Sequence, residues 1–265
     1  MTIDTNVRLL AFETIQDIIN DKAYSNIIIN EVLSNNELNR ADKSLFTELV
    51  YGTLKRKYTL DYLLKPFVQT KLKGWVRQLL WMSIYQYAYL DKIPEHAIIH
   101  EAVEIAKYKG GPHNGNVVNG ILRNMMRSEL PDFTEITDDK KRIAIEYSLP
   151  KWLVNHWVTH LGLEKTEEIA QSFLDKVSTT VRVNLTRITV DEAIRRLTDD
   201  DYIVELDKEI DTCLHISGKP IIESRLFKDG LVSIQDKSSM FVGEIMSLTE
   251  GDKVLDACSA PGGKA

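Results

Sequence analysis

The chain has 265 residues, 43% of them apolar, enough to bury real cores, and its length predicts about two domains. It has no run of about 18 apolar residues, and Met1-Thr-Ile-Asp-Thr-Asn-Val-Arg8 shows no positive segment leading into an apolar one, so neither a membrane helix nor a secretory signal is expected and a cytoplasmic location is. The net charge of −6 argues against nucleic acid, but residues 50–127 hold 12 Lys or Arg against 5 Asp or Glu, a balance of +7, while the rest of the chain carries −13. From residue 3 to about 128, apolar residues recur at helical spacing without strand-like alternation, which predicts an all-helical bundle. Val7, Leu10, Ala11, Thr14, Ile15 and Ile18 line one face of the first helix. A second helix starts at Ser25 with Ile28, Ile29, Val32 and Leu33 inward. A third runs from Asp42, read as its N-cap, to Leu54. Tyr58–Leu64, Gly74–Leu90, Pro94–Lys109 and Asn116–Leu130 complete the set, with Gly110-Gly111-Pro112 as a breaker between the last two.

Lys55, Arg56, Lys57, Lys71, Lys73, Arg77, Lys107, Lys109, Arg123 and Arg127 could gather into one field that neutralises phosphates, the alternative being a solvated helical surface. Asn119 and Arg123 fall four apart, so their side chains meet on one helix face. Trp81, Tyr85, Tyr87 and Tyr89 at helical spacing suit a core better than base stacking. Phe46-Thr-Glu-Leu-Val-Tyr-Gly52, Trp81-Met-Ser-Ile-Tyr-Gln86, Ile93-Pro94 followed by Glu101-Ala-Val-Glu104, and Val118-Asn-Gly-Ile-Leu-Arg123 resemble the NusB-type RNA-binding helical domain.

From about Asp138 the acidic fraction rises, and Tyr147-Ser-Leu-Pro-Lys-Trp-Leu153 ends one helix and begins another at Pro150. Val181-Arg-Val-Asn-Leu185 alternates as a strand, Val190–Leu197 is a short helix, and Tyr202–Leu206 and Cys213–Ile216 are further strands. That order predicts a small α+β domain. Leu231-Val-Ser-Ile234 is a strand fragment, followed by Gln235-Asp236 and an amphipathic helix through Met240, Phe241 and Ile245.

The terminus, Val254-Leu-Asp-Ala-Cys-Ser-Ala-Pro-Gly-Gly-Lys-Ala265, reads as a strand running into a turn where two glycines let main-chain amides face a polar ligand. A phosphate loop of the Gly-x-x-x-x-Gly-Lys-Ser/Thr kind would put Cys258 at its first glycine and Ala265 at its hydroxyl, and fails at both. Asp256-Ala-Cys-Ser-Ala-Pro-Gly-Gly-Lys264, with Gln235-Asp236-Lys237-Ser238-Ser239 upstream, resembles the S-adenosylmethionine loop and the Gln-Asp-x-x-Ser element of the Sun/Fmu, or RsmB-like, RNA cytosine-5 methyltransferases. Ala265 departs from the Thr or Ser often found there.

The Ser-x-Pro-x-Trp-Leu element at Ser148–Leu153 and Arg182-Val-Asn184 resemble the same family. The resemblance implies a multidomain protein: a NusB-like helical domain over 1–130, a ferredoxin- or RRM-like α+β domain over 138–218, and the start of a Rossmann-like methyltransferase domain over 219–265. It implies S-adenosylmethionine contacts from Cys258, Ser259, Ala260, Pro261, Gly262, Gly263 and Lys264, and small-subunit (16S) ribosomal RNA as partner; the charge distribution makes Lys55, Arg56, Lys57, Lys71, Lys73, Arg77, Arg123 and Arg127 the residues expected to grip that RNA. The cysteine that adds to cytosine C6 belongs to motifs expected beyond residue 265, so this chain is expected to be inactive alone. Cys258 lies in the cofactor loop and Cys213 in a strand; both are expected to be free thiols. The pairs His96 with His100 and His156 with His160 lack a third ligand, so no metal is expected, and no membrane partner either. A NusB-like RNA or transcription-complex module without catalysis is the alternative reading.

Overall fold

The computed structural model describes residues 6–21, 24–175, 178–257 and 259. The chain divides into two compact units, Met1–Asp175 and Lys176–Ala265.

In the first unit, described elements are α1 (Val7–Asp21), α2 (Ser25–Asn35), α3 (Arg40–Lys55), α4 (Lys57–Leu64), α5 (Gly74–Tyr89), α6 (Glu95–Met126), α7 (Asp139–Glu146), α8 (Lys151–Leu161) and α9 (Leu163–Ser172). Helix α5 is the hub. Every residue from Gln78 to Gln86 is buried, and a helix apolar on all sides belongs inside a bundle. Its buried amides are satisfied locally: Gln16 donates to Gln78 at 3.2 Å and Arg8 donates to Gln86 at 2.7 Å. Phe12, Ile15, Phe46, Leu49, Leu60 and Leu122 pack around it. Trp81 and Tyr85 are core residues and Tyr87 and Tyr89 half-buried, as their helical spacing predicts.

Two local expectations are corrected and one break is located. The N-cap of α3 is Asn39, not Asp42: Asn39 accepts from the Asp42 amide at 2.9 Å, so the helix begins two residues earlier. The breaker expected at Gly110-Gly111-Pro112 is where two helical arms meet: within Glu95–Met126, taken together as α6, Gly111 leaves helical geometry at φ 78° and ψ 175° and absorbs the bend. On α1, Leu9 and Phe12 are buried beyond the expected face, since the helix is covered on two sides by α3 and α5.

Helix α7 is tied to α4. The Tyr58 amide donates to Ser148 Oγ at 3.0 Å and Thr59 Oγ1 donates to the Ile145 carbonyl. Arg142 forks onto Glu167 at 2.6 and 2.8 Å and reaches Glu146 at 2.9 Å, a bidentate pair that joins α7 to α9 beside the small core of Ile143, Leu149, Val154 and Ala170.

The second unit runs β1 (Thr179–Val183), α10 (Val190–Asp199), β2 (Ile203–Leu206), β3 (Cys213–Ser217), α11 (Arg225–Lys228), β4 (Val232–Ile234) and α12 (Lys237–Met246). The strands form one antiparallel sheet in the order β2-β3-β1-β4, and the chain order β-α-β-β-α-β is the ferredoxin-like arrangement. Registers Val181↔Leu214 and Val183↔Val232 put these side chains on one face, where α10 and α11 cover them with Ala193, Leu197 and Leu226. Arg182, Cys213 and His215 alternate onto the other face, and there Met240 and Phe241 of α12 pack on Cys213 and Ile210. The terminal strand expected at Val254-Leu255 is not formed among the described residues: both side chains are exposed, 53% and 89%, and a lone first strand has no neighbour with which to build a ladder.

Candidate nucleic-acid interface and cofactor turn

Helix α4 runs antiparallel to α5, and the basic residues follow their seam. Arg56, the C-cap of α3, lies over the Tyr89 ring at 4.0 Å. Lys57 opens α4 and sits 5.4 Å from the Tyr58 ring. Further along, Asp61 accepts from Trp81 at 3.1 Å and pairs with Arg77 at 3.3 Å. Lys73 caps α5 and Lys71 precedes it, both exposed, as is Lys55. From Lys73 to Tyr89 the axis rises about 24 Å, so these cations form a stripe and not a point cluster. Arg77 is partly neutralised by Asp61; Lys55, Lys71 and Lys73 have no ion-pair partner among the described residues.

Arg123 and Arg127 stand on the last turns of α6, both exposed. Arg123 Nε donates to Asn119 Oδ1 at 2.9 Å, the contact that their spacing of four predicts. The two arms of α6 on either side of Gly111 enclose a groove of about 680 Å³, with Ile99 and Val103 at its base and His96, His100, Lys107 and Arg123 around it. Lys107 is paired with Glu104 at 2.7 Å, and Lys109 donates to Gln16. His96 and His100 share this groove, and His156 and His160 sit edge to face at 4.5 Å on α8.

In the second unit Gln235-Asp236-Lys237 is bonded to the sheet. The Gln235 amide donates to the Thr180 carbonyl and its own carbonyl accepts from Thr180 Oγ1, and Asp236 caps α12 by accepting from the Ser238 amide at 2.8 Å. Lys237 reaches back to Asp207 at 2.8 Å and Glu209 at 2.6 Å. Asp207 is buried and also accepts from His215 Nε2 at 2.8 Å and from the amides of Glu209 and Ile210. These donors, Lys237 first and His215 next, hold its carboxyl far below the usual carboxylate range. In turn the bonds to Asp207 and Glu209 push the Lys237 ammonium up to about 12. Ser178 Oγ lies 3.2 Å from the other His215 nitrogen.

Asp207, Cys213 and His215 bring ligand atoms within 4.8 Å of one another, but the Lys237 ammonium already places a cation on the Asp207 carboxylate. Cys213 is a free, buried thiol, and burial raises it above the ordinary thiol range, which makes it a poor nucleophile. No sequence motif announces this network. Its members lie 30 residues apart across a hairpin and a crossover. Of the expected cofactor residues Cys258, Ser259, Ala260, Pro261, Gly262, Gly263 and Lys264, only Ser259, exposed, lies among the described residues.

Comparison with known proteins bears on this arrangement. Residues 5–127 match the NusB family, and residues 149–223 match the ferredoxin-like domain of RsmF/B-like methyltransferases. Over 98% of its length the chain is 41% identical to the probable ribosomal RNA small subunit methyltransferase B of Bacillus subtilis (strain 168). Over nearly its whole length the chain is thus similar to RsmB-like methyltransferases. A second relative, the probable ribosomal RNA small subunit methyltransferase B of Synechocystis, is 29% identical over the same share. The chain spans 59% of the length of each of these RsmB-like relatives. The crystal structure of PH0851 superposes with a TM-score of 0.68 at 20% identity, over 98% of this chain and 59% of that one, and so shares its fold. Among the described residues no helix is long and apolar enough to cross a membrane.

Proposed function

We propose that this chain carries the RNA-recognition part and the first cofactor loop of an S-adenosylmethionine-dependent enzyme that methylates cytosine C5 in small-subunit (16S) ribosomal RNA in the cytoplasm. The observation that carries this reading is the succession, in one chain, of a NusB-family domain, an RsmF/B-like ferredoxin-like domain and the unbroken Asp256–Lys264 motif. The parts are assigned as 1–130 for RNA, 138–218 as linker domain and 219–265 as the start of the methyltransferase domain.

S-adenosylmethionine supplies the methyl group; Cys258 to Lys264 are assigned to hold it, mainly through backbone groups. The stripe of Lys55, Arg56, Lys57, Lys71, Lys73 and Arg77, with Arg123 and Arg127, is assigned to ribosomal RNA phosphates. The test is transfer of labelled methyl from S-adenosylmethionine to 16S RNA by the protein at the length of its relatives, with the product mapped. Label on cytosine C5 is expected; no transfer, or label on another base, removes the assignment. For the stripe, Lys55→Glu, Arg56→Glu and Lys57→Glu together should lower the slope of log affinity against log salt by about 2 to 3 for a duplex RNA probe. An unchanged slope would show that these residues touch no phosphate.

A further inference from the structure

Helix α8 presents two faces of different character. Inward, Val154 is fully buried and Trp157 and Val158 pack on Ile143, Ala144 and Leu149. Outward, Trp152 is 68% exposed, and His156 and His160 continue it at successive spacings of four, their rings 4.5 Å apart and crossed at 62°. A tryptophan left this far in solvent forfeits a large apolar burial, so an occupant for it is the economical explanation. Asn155 and Thr159 interleave with these rings, and Lys151 precedes them. In an acidic chain, Lys-Trp-Leu-Val-Asn-His-Trp-Val-Thr-His-Leu carries no carboxylate. Neither the Lys151 ammonium nor the Asn155 carboxamide has a hydrogen-bond or ion-pair partner among the described residues.

We propose that this face is a stacking strip for single-stranded RNA, with Trp152 as the principal platform, His156 and His160 as secondary ones, Asn155 offered to a base edge and Lys151 to a phosphate. The proposal rests on the reading that the chain handles RNA, and adds a site outside the NusB-family segment. Three features select this occupant. Helix α8 brings to this face cationic and donor groups and no anionic side chain of its own, which complements phosphates. Polar groups separate the rings, whereas a protein-docking face of this size is apolar at its centre. An exposed indole offers its face to an unstacked base, whereas the bases of a duplex are stacked on one another and offer none, so the strip suits a single strand.

The experiment measures affinity of the 265-residue chain for a labelled oligocytidine and for a duplex of equal charge. Trp152→Ala should weaken oligocytidine binding about tenfold or more, Trp152→Phe should recover most of it, and duplex binding should stay within about twofold. Ultraviolet cross-linking should place oligocytidine on Trp152 or His156. Circular dichroism melts confirm that each variant is folded; the outward face leaves the Ile143–Val154 core untouched. Oligocytidine affinity within about twofold of the parent for Trp152→Ala, or equal loss for strand and duplex, overturns the strip. If the Lys55, Arg56 and Lys57 reversals still weaken RNA binding in that case, the broader reading stands and only the strip falls. A parent chain that binds neither probe overturns both. Protection of Trp152 from acrylamide quenching in the full-length protein without RNA would identify a face packed inside the enzyme, and would also overturn the proposal.

Discussion

At Gly52 the third helix comes so close to the fifth that a Cβ would stand 2.0 Å from Tyr85 Cζ. The Tyr85 ring occupies the place a side chain would take, and its hydroxyl donates to Glu48; burial, then that bond, raises its pKa above the ordinary tyrosine value. Gly52→Ala should therefore expel the ring and destabilise the helical unit by about 1–3 kcal/mol in urea melts. A loss below about 0.5 kcal/mol would mean that the ring moves aside freely. Asp207 acts at the same scale through charge. Its folded pKa is depressed, so the stability it contributes is present above the unfolded value of about 3.9 and is lost as pH falls below that toward the folded value. Lys237, raised to about 12, contributes below its unfolded value of about 10.4 and loses that contribution only as pH climbs past it. Asp207→Asn should thus lower the melting temperature of the second unit by about 5 °C or more at pH 7, with the gap to the parent closing as pH falls below about 3.9. A gap that grows as pH falls below that value would contradict this sign.

Among elements, α6 depends on a conformation that only glycine adopts readily. Gly111 sits at φ 78° and ψ 175°, a region costing about 1–3 kcal/mol for any side chain, although its surroundings are open. Gly120 lies nine residues on, in regular helix with equally open space. The pair separates strain from packing: Gly111→Ala should destabilise by that amount, while Gly120→Ala should stabilise by up to about 1 kcal/mol. Equal effects at both sites would mean that the kink is not held by backbone preference. The groove of His96, His100 and Arg123 exists because of this bend, so Gly111→Ala should also alter the mutual placement of those side chains.

For the whole molecule, charge is divided by region: residues 50–127 are positive within a chain of net −6, which favours local attraction of a polyanion, such as the RNA proposed above, over general adhesion. The segment proposed to hold the cofactor, Cys258 to Lys264, is a different case. Ligand pockets bury most of a small molecule's surface, and one turn cannot. Calorimetry on the 265-residue chain should show S-adenosylmethionine binding weaker than micromolar, while the protein at the length of its relatives, of which this chain spans 59%, should bind it in the micromolar range. Micromolar binding by the shorter chain would overturn this expectation.

The helical period of residues 7–126 and the alternation of Val181, Val183, Leu214 and Ile216 were legible because each element repeats one physical demand, an apolar face, at its own spacing. Helix ends were less so: Asn39 and Asp42 are both good caps, and only the backbone shows which one accepts the bond. The sequence by itself determined two architectures in one chain, the concentration of positive charge, and the motif that points to a methyl donor. Tertiary structure alone decided that α4 and α5 string the cations into a stripe, that α12 packs on the sheet face opposite α10, and that Asp207, His215 and Lys237 meet. Those contacts join residues distant in the chain through packing and burial, and local spacing carries no record of such neighbours.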